Sequence, residues 1–356
     1  MRLGIIDIGS NSIKLLVAET GSNLAIHYET TWETRIGTNL GESAGPILTK
    51  SAVENACNAV KSLIDEAGGY SVERFFIAAT SAVRDAPNRD DFIEAIHETT
   101  GQRLHILTGE EEAAYVAWGI TSDPILKQYK EFCLADLGGG SLELIHIRDR
   151  QTVKKVSLPL GAIRLSKQLL EDRRLPMKST EMRRIVRRVR SSIDDSGFIF
   201  PRNVNVLVGT GGALTVARAI RAAWLGQDAQ DCGHSLNLTF LRLLYVELAA
   251  MTLKERICVP ELPEERADIM PTALLILLTV AEMAGVGSYT YSDYNLRYGI
   301  AAKLSSDRAI GRGAPPSMPY GHGGSLNSTA ASNLFAETES IVQPGSITRS
   351  VIKYPN

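Results

Sequence analysis

The chain has few of the features that mark secreted, metal-caged or membrane proteins. Its 356 residues hold four cysteines, Cys57, Cys133, Cys232 and Cys258, widely scattered and without a C-x-x-C pair. That excludes a disulfide framework or a thiolate zinc site and predicts reduced, buried thiols in a cytoplasmic protein. Neither charge sign predominates: 38 Lys and Arg against 40 Asp and Glu leave a formal net charge of −2. Nothing global therefore advertises nucleic acid or a membrane surface. The longest apolar run, 273 to 285, is too short to cross a bilayer and carries Glu282, so it predicts a buried helix. Met1 and Arg2 lead straight into a strand that Asp7 interrupts, so no secretory signal is expected. No G-x-x-x-x-G-K-[ST] loop occurs, and GTGGAL at 209 to 214 has Leu214 where a dinucleotide fingerprint needs its third Gly.

What the chain does have is one uncommon pattern, twice. IIDIGSNSIKLLV (5 to 17) and LADLGGGSLELIHI (134 to 147) each read as apolar strand, Asp-x-Gly, a turn of small residues with a Ser, and a second apolar strand. The Asp residues are Asp7 and Asp136; the Ser residues are Ser10 or Ser12, and Ser141. Such a turn lets backbone N–H groups converge on an anion while the Asp reaches a metal counter-ion. A tight hairpin alone would explain either copy, but two copies suggest a phosphate held between duplicated halves. Glu143 alternates onto the same strand face as Ser141.

The order of elements repeats as well. Residues 3 to 30 read as an antiparallel meander, followed by a helix over 50 to 67 ending at Gly68-Gly69, a buried strand over 74 to 83 and a helix over 90 to 101. A strand RLHILTG and a helix over 110 to 120 complete the first half. After residue 131 the order recurs: a strand pair, a long helical region, a strand over 203 to 212, then a helix. The expected architecture is two α/β domains with a cleft, 1–124 and 125–304, plus a flexible Gly-, Pro- and Ser-rich tail at 305–356.

Several segments offer chemistry with a plainer reading beside it. In ATSAVRDAPN (79 to 88), Thr80 and Ser81 bring hydroxyls and Arg84 a phosphate-matching fork, though an Arg84–Asp85 pair is also ordinary solvated structure. Glu110, Glu111 and Glu112 open a helix, where acidic residues suit the helix dipole without further role. Sequence alone does not select which of them faces a water. GTGGAL could hold an anion at a helix N-terminus or be a close-packed turn. The helix over 180 to 193 sets Met182, Ile185, Val186, Val189 and Ile193 on one face and Arg183, Arg184, Arg187, Arg188 and Arg190 mostly on the other. That is a solvated amphipathic helix or a polyanion track.

Together, IIDIGSNSIKLLV, ATSAVRDAPN, GEEEA, DLGGGSLEL, SLPLGAIRLS, LVGTGGALTVARAI and EERADIMPTALLIL resemble, in order, the exopolyphosphatase / guanosine pentaphosphate phosphohydrolase family of the actin–hexokinase–chaperone superfamily, over roughly residues 1 to 303. The resemblance implies two actin-like (ribonuclease H-like) domains and a Mg²⁺-dependent hydrolase of phosphoric anhydrides. It implies Glu112 as the base that activates water, and Asp136 with Glu143 on the metal side. It assigns phosphate binding to Asp7, Gly9, Ser10, Asn11, Arg84, Gly138, Gly139, Gly140 and Ser141. The expected substrate is inorganic polyphosphate, with guanosine pentaphosphate as the alternative; the expected partners include a second copy in a homodimer, but no nucleic acid and no membrane. A non-catalytic phosphate or nucleotide sensor is the reading from another class, and a sugar-kinase relative lacks a catalytic Asp that the sequence would place. Two positions depart from the family pattern. Ala114 stands where Arg often follows G-x-E-E-A, and Asn295 stands where a Gly-Leu-Arg-x-Gly segment usually begins, at a turn that Asn tolerates with positive φ. The tail replaces the helical C-terminal domain of longer members, which points to shorter polyphosphates or nucleotide phosphates.

Overall fold

The computed structural model describes residues 1–21, 24–39, 47–228, 231–309 and 351–353. Two six-stranded mixed sheets, each flanked by helices, build an actin-like fold of two domains. In the first sheet, β1 (Arg2–Ile8), β2 (Ser12–Glu19) and β3 (Ala25–Glu33) form the expected meander. β4 (Arg74–Ala79) and β5 (Leu104–Ile106) extend it in parallel on the other side of β1. β1 lies between β2 and β4 with helices over the sheet, so Leu3, Ile5, Ile6 and Ile8 are all fully buried. A continuous apolar run is what a strand covered on both faces requires.

The second sheet repeats the plan. β6 (Glu131–Leu137), β7 (Leu142–Arg148) and β8 (Gln151–Leu158) make a second meander, one strand longer than the expected pair. β9 (Leu207–Thr210) runs parallel to β6 just as β4 does to β1, and β10 (Ser235–Asn237) and β11 (Ser288–Tyr291) complete it. β12 (Val351–Lys353) joins the free edge of β3. Most of the tail expected at 305–356 lies outside the described residues, although the helix Leu296–Ala309 runs into its first positions.

Helices occur where the sequence predicts them. Lys50–Gly68 buries Ala56, Val60 and Leu63, and Thr49 caps its start by accepting from Ala52 N at 3.2 Å. Met270–Ala284 is the buried helix of the longest apolar run, stopped by Gly285 at φ 69°. No helix among the described residues is long and apolar enough to cross a membrane. In Ser179–Asp195, Ile185, Val189 and Ile193 are buried and the arginines face outward. Cys57, Cys133 and Cys232 are buried free thiols, whereas Cys258 is exposed, contrary to the expectation of burial for all four.

Gly109–Ser122 and Leu296–Ala309 lie between the two sheets, in one apolar cluster with Ile5 and Leu16 of the first and Leu134 and Ile145 of the second. These helices pack more extensively on each other than any other pair of elements. They cross on Gly119 and Gly299: a Cβ at Gly119 would strike the Asn295 carbonyl, and one at Gly299 the Tyr115 carbonyl. Only backbone fits there. Asn295 does not adopt the positive φ anticipated for it. It caps instead, its side-chain oxygen accepting from Arg297 N at 3.1 Å.

Candidate active site

The two Asp-x-Gly hairpins close in the same way. Gly9 N donates to Ser12 O at 3.0 Å, and Gly138 N donates to Ser141 O at 3.0 Å. Each turn therefore places its Asp opposite the residue seven positions later. Asp7 pairs with Lys14 across β1 and β2, and Asp136 pairs with Glu143 across β6 and β7. The duplicated frame thus carries opposite charges at its equivalent far corner.

The loops meet across the cleft. A Cβ on Gly139 would lie 2.9 Å from Ser10 Cβ, and one on Gly140 would overlap Ser81. Glycine here permits close approach of one loop to the other. Asp7, Gly9, Ser10 and Asn11 from the first side, and Asp136, Gly138, Gly139, Gly140, Ser141 and Glu143 from the second, all line one cavity. Glu112 lines it as well. Arg84 is the predicted site residue that does not: its Nη1 donates to Glu112 Oε2 and to the Leu107 carbonyl, both at 2.8 Å. Asn11 lines the cavity, but its amide nitrogen donates to Glu33. Its main-chain carbonyl accepts from Thr34 N and Arg35 N, which pins the first loop from behind.

The three adjacent glutamates separate by role. Glu111 forms a capping box with Thr108: Glu111 N donates to Thr108 Oγ1 at 3.2 Å, and Thr108 N donates back to Glu111 Oε2 at 2.9 Å. Glu110 points outward, its side chain 83% exposed, beside Lys155. Glu112, one residue further round the helix, is turned into the cavity and is buried. Burial pushes its carboxyl up to about 7 against the opposing pull of Arg84, with Asp7 and Asp136 adding upward.

The other acids share this electrostatic condition. Asp136 is raised to about 6 by burial, opposed by Lys14 and assisted by Asp7. Glu143 is raised well above its ordinary value by burial, then by Glu112 and Asp136, and accepts a hydrogen bond from Ser157 Oγ at 2.7 Å. Burial raises Asp7 and lowers Lys14, while each of that pair favours the other's charge. Such crowding of desolvated carboxylates calls for positive charge in the cleft.

A hard divalent cation suits this donor set. Asp7 Oδ1 is buried without a hydrogen-bond partner. Among the described residues, no three His, Cys, Asp or Glu side chains converge tightly enough to cage a metal. Mg²⁺ keeps waters, takes one or two carboxylates and completes its shell with substrate phosphate. Asp136 and Glu143 would hold it.

Two charged cavity residues, Lys14 and Arg266, were not singled out from the sequence. Lys14 could have been found by counting the hairpin register outward from its turn, which puts position 14 opposite position 7. Arg266 lies in the family-like segment EERADIMPTALLIL, but nothing local marks it as part of the site. Its Nε and Nη2 donate to Glu33 Oε1 at 2.9 and 2.7 Å, from one half of the fold to the other. Gly212 is small because the Arg266 guanidinium occupies the space where its Cβ would be, and Gly211 takes φ 102° against the Leu137 carbonyl. GTGGAL is thus closely packed, and its Gly211, Gly212 and Ala213 also line the cavity.

The sequence matches the Ppx/GppA phosphatase family over residues 16–306. It is 28% identical over 322 residues to Exopolyphosphatase 2 of Mycobacterium tuberculosis, covering 85% of this chain and 98% of that protein. It is 29% identical over 324 residues to Exopolyphosphatase 1 of Mycobacterium leprae, covering 86% and 91%. Among solved structures, the Ppx/GppA enzyme of Aquifex aeolicus superposes with a TM-score of 0.70 at 25% identity, covering 85% of this chain and 99% of that one. An exopolyphosphatase from Cytophaga hutchinsonii gives a TM-score of 0.77 at 20% identity, covering 86% and 98%, a likeness of fold.

Proposed function

The chain belongs to the Ppx/GppA phosphatase family and is a hydrolase of phosphoric anhydrides; from that premise we propose that it releases terminal orthophosphate from inorganic polyphosphate, with Glu112 as general base. The observation that carries this reading is the placement of Glu112. Of three consecutive acids it alone enters the cavity, between the two phosphate loops and held by Arg84. The names of the mycobacterial relatives support the choice of substrate.

In this reading the terminal phosphoryl group sits between Gly9–Asn11 and Gly138–Ser141, where backbone N–H groups and Lys14 offset its charge. Mg²⁺ bound at Asp136 and Glu143 would neutralise phosphoryl oxygens as charge spreads in the transition state. Glu112 orients a water in line with the anhydride bond and takes its proton at a carboxylate oxygen. Arg84 keeps that carboxylate partly ionised near neutrality by opposing the burial that raises it. The unequal far corners of the hairpins fit a division of labour, with Lys14 facing phosphate and Glu143 facing the cation.

The test is phosphate release with Mg²⁺ on short polyphosphate, long polyphosphate and guanosine pentaphosphate, side by side, for the native chain and Glu112→Gln. Turnover should fall about 10²–10⁴-fold in the variant, with substrate binding retained. Equal turnover would remove Glu112 from its role. Release from guanosine pentaphosphate alone would move the substrate to the nucleotide, and binding of all three without release would make the protein a sensor.

A further inference from the structure

Arg164 belongs to the second half of the fold, on the helix Ala162–Leu169, yet its guanidinium reaches into the first. Its Nε donates to the Gly140 carbonyl at 2.8 Å. Its Nη2 donates to Ser81 Oγ at 3.0 Å and to Asp85 Oδ2. The side chain is 12% exposed and does not line the cavity. It is therefore placed to hold the walls of the cleft rather than its contents.

The contacts continue on both sides. Asp85 Oδ1 lies 3.7 Å from Arg84 Nε, and Arg84 donates in turn to Glu112. On the loop side, Ala162 N donates to the Gly138 carbonyl at 3.0 Å, and Ile163 N and Arg164 N share the Gly139 carbonyl. A Cβ on Gly161 would run into the Gly139–Gly140 backbone, so helix and loop are in direct contact. The carbonyl edge of the glycine loop is thus occupied by one helix start and by the Arg164 side chain. An unbroken run, Gly140–Arg164–Asp85–Arg84–Glu112, connects the phosphate loop of one half to the carboxylate of the other.

We propose that Arg164 is a positioning residue: by joining the Gly138–Ser141 loop to Asp85, it brings Glu112 into register with the phosphoryl cradle when the cleft is closed. The proposal rests on the reading of Glu112 as the base. The task needs a guanidinium, because one planar fork must meet a carbonyl, a hydroxyl and a carboxylate at fixed angles. A lysine could reach one or two of these but could not fix their mutual orientation.

The experiment is steady-state phosphate release from polyphosphate by the full chain and by Arg164→Met, Arg164→Lys, Asp85→Ala and the Asp85→Ala/Arg164→Met pair. A displacement of about 1 Å at a reacting centre costs on the order of 10²-fold in rate. Arg164→Met should therefore lower kcat by about that factor while KM stays within about 2-fold, and Arg164→Lys should fall between it and the native chain. Asp85→Ala should show the same split, and the pair should lose no more than about the larger single loss, because both break one connection. A rise in KM with kcat held would make Arg164 a substrate contact and overturn the proposal, as would unchanged kinetics or losses that multiply in the pair. Should Arg164→Met fail to fold, Asp85→Ala decides by the same split. Full turnover in Glu112→Gln would sink the base reading by itself, whatever the Arg164 variants do.

Discussion

Replacing Arg84 by Met separates two roles that an arginine beside a phosphate site can have. Arg84 Nη1 lies 2.8 Å from Glu112 Oε2, with side chains only 19% and 10% exposed. Opposite charges about 4 Å apart attract by about 4 kcal/mol at an effective dielectric of about 20. A neighbouring cation of this kind lowers a carboxyl by about 1–3 pKa units. With Arg84 present, burial leaves Glu112 at about 7; without it, the carboxyl should titrate about 1–3 units higher. A general base works ionised, so the acid limb of kcat/KM should shift upward by that amount. Activity at pH 7 should fall about 5- to 500-fold and recover in alkali. Stability gives an independent readout. Because the folded-state value of Glu112 is raised above 4.5, its favourable contribution is complete below about 4.5 and is lost as pH rises through about 7. Loss of Arg84 should therefore lower the melting temperature more at pH 8 than at pH 5. If kcat/KM falls equally at every pH, with the limb still near 7 and KM raised, Arg84 serves the substrate phosphate and the reasoning fails.

Three further outcomes follow from contacts already described. Glu33 and Arg266 are almost fully buried, so Glu33→Leu should cost about 3–5 kcal/mol by stranding the guanidinium. Urea denaturation of single and double Leu variants checks this, and the double should recover part of the loss. Gly140→Ala should depress turnover far more than stability, since its methyl meets Ser81 across the cleft. Thermal melting beside phosphate release tests that, and a parallel fall in both would argue against it. Asp136→Asn should raise the Mg²⁺ concentration needed for half-maximal release by about 10-fold or more; an unchanged requirement would move the metal elsewhere.

The fold was legible largely because its signals are local. The two hairpins, the amphipathic helices and the long buried helix announce themselves through alternation, periodicity and glycine stops. The reading failed where local signals compete. RFFIAATSAV looks like one strand, but β4 ends at Ala79 because the Thr80 carbonyl accepts from Val83 N and Arg84 N and starts a short helix. Ala82 and Val83 are buried there by tertiary packing rather than by the sheet. The site follows the same division. Its loops were visible as paired motifs, and the family resemblance singled out Glu112. The residues alone left three glutamates equal until the fold assigned Glu111 to the capping box and turned Glu112 into the cavity. Arg164 and Arg266 act more than 80 residues away from their partners Ser81 and Glu33. No spacing rule encodes such meetings, because they depend on how two sheets dock.

The crossing of Gly119 on Gly299 puts backbone against backbone, with no side chain between. A joint of that kind has no rotamers to exchange, so backbone alone sets the spacing of the two helices. Glu112 rides on one of these helices, and Leu296 at the start of the other reaches the cavity wall. The proposed base is therefore carried on the helix pair packed between the two sheets. Any side chain at Gly119 or Gly299 would force the two helices apart, and that displacement would reach Glu112 through the helix that carries it.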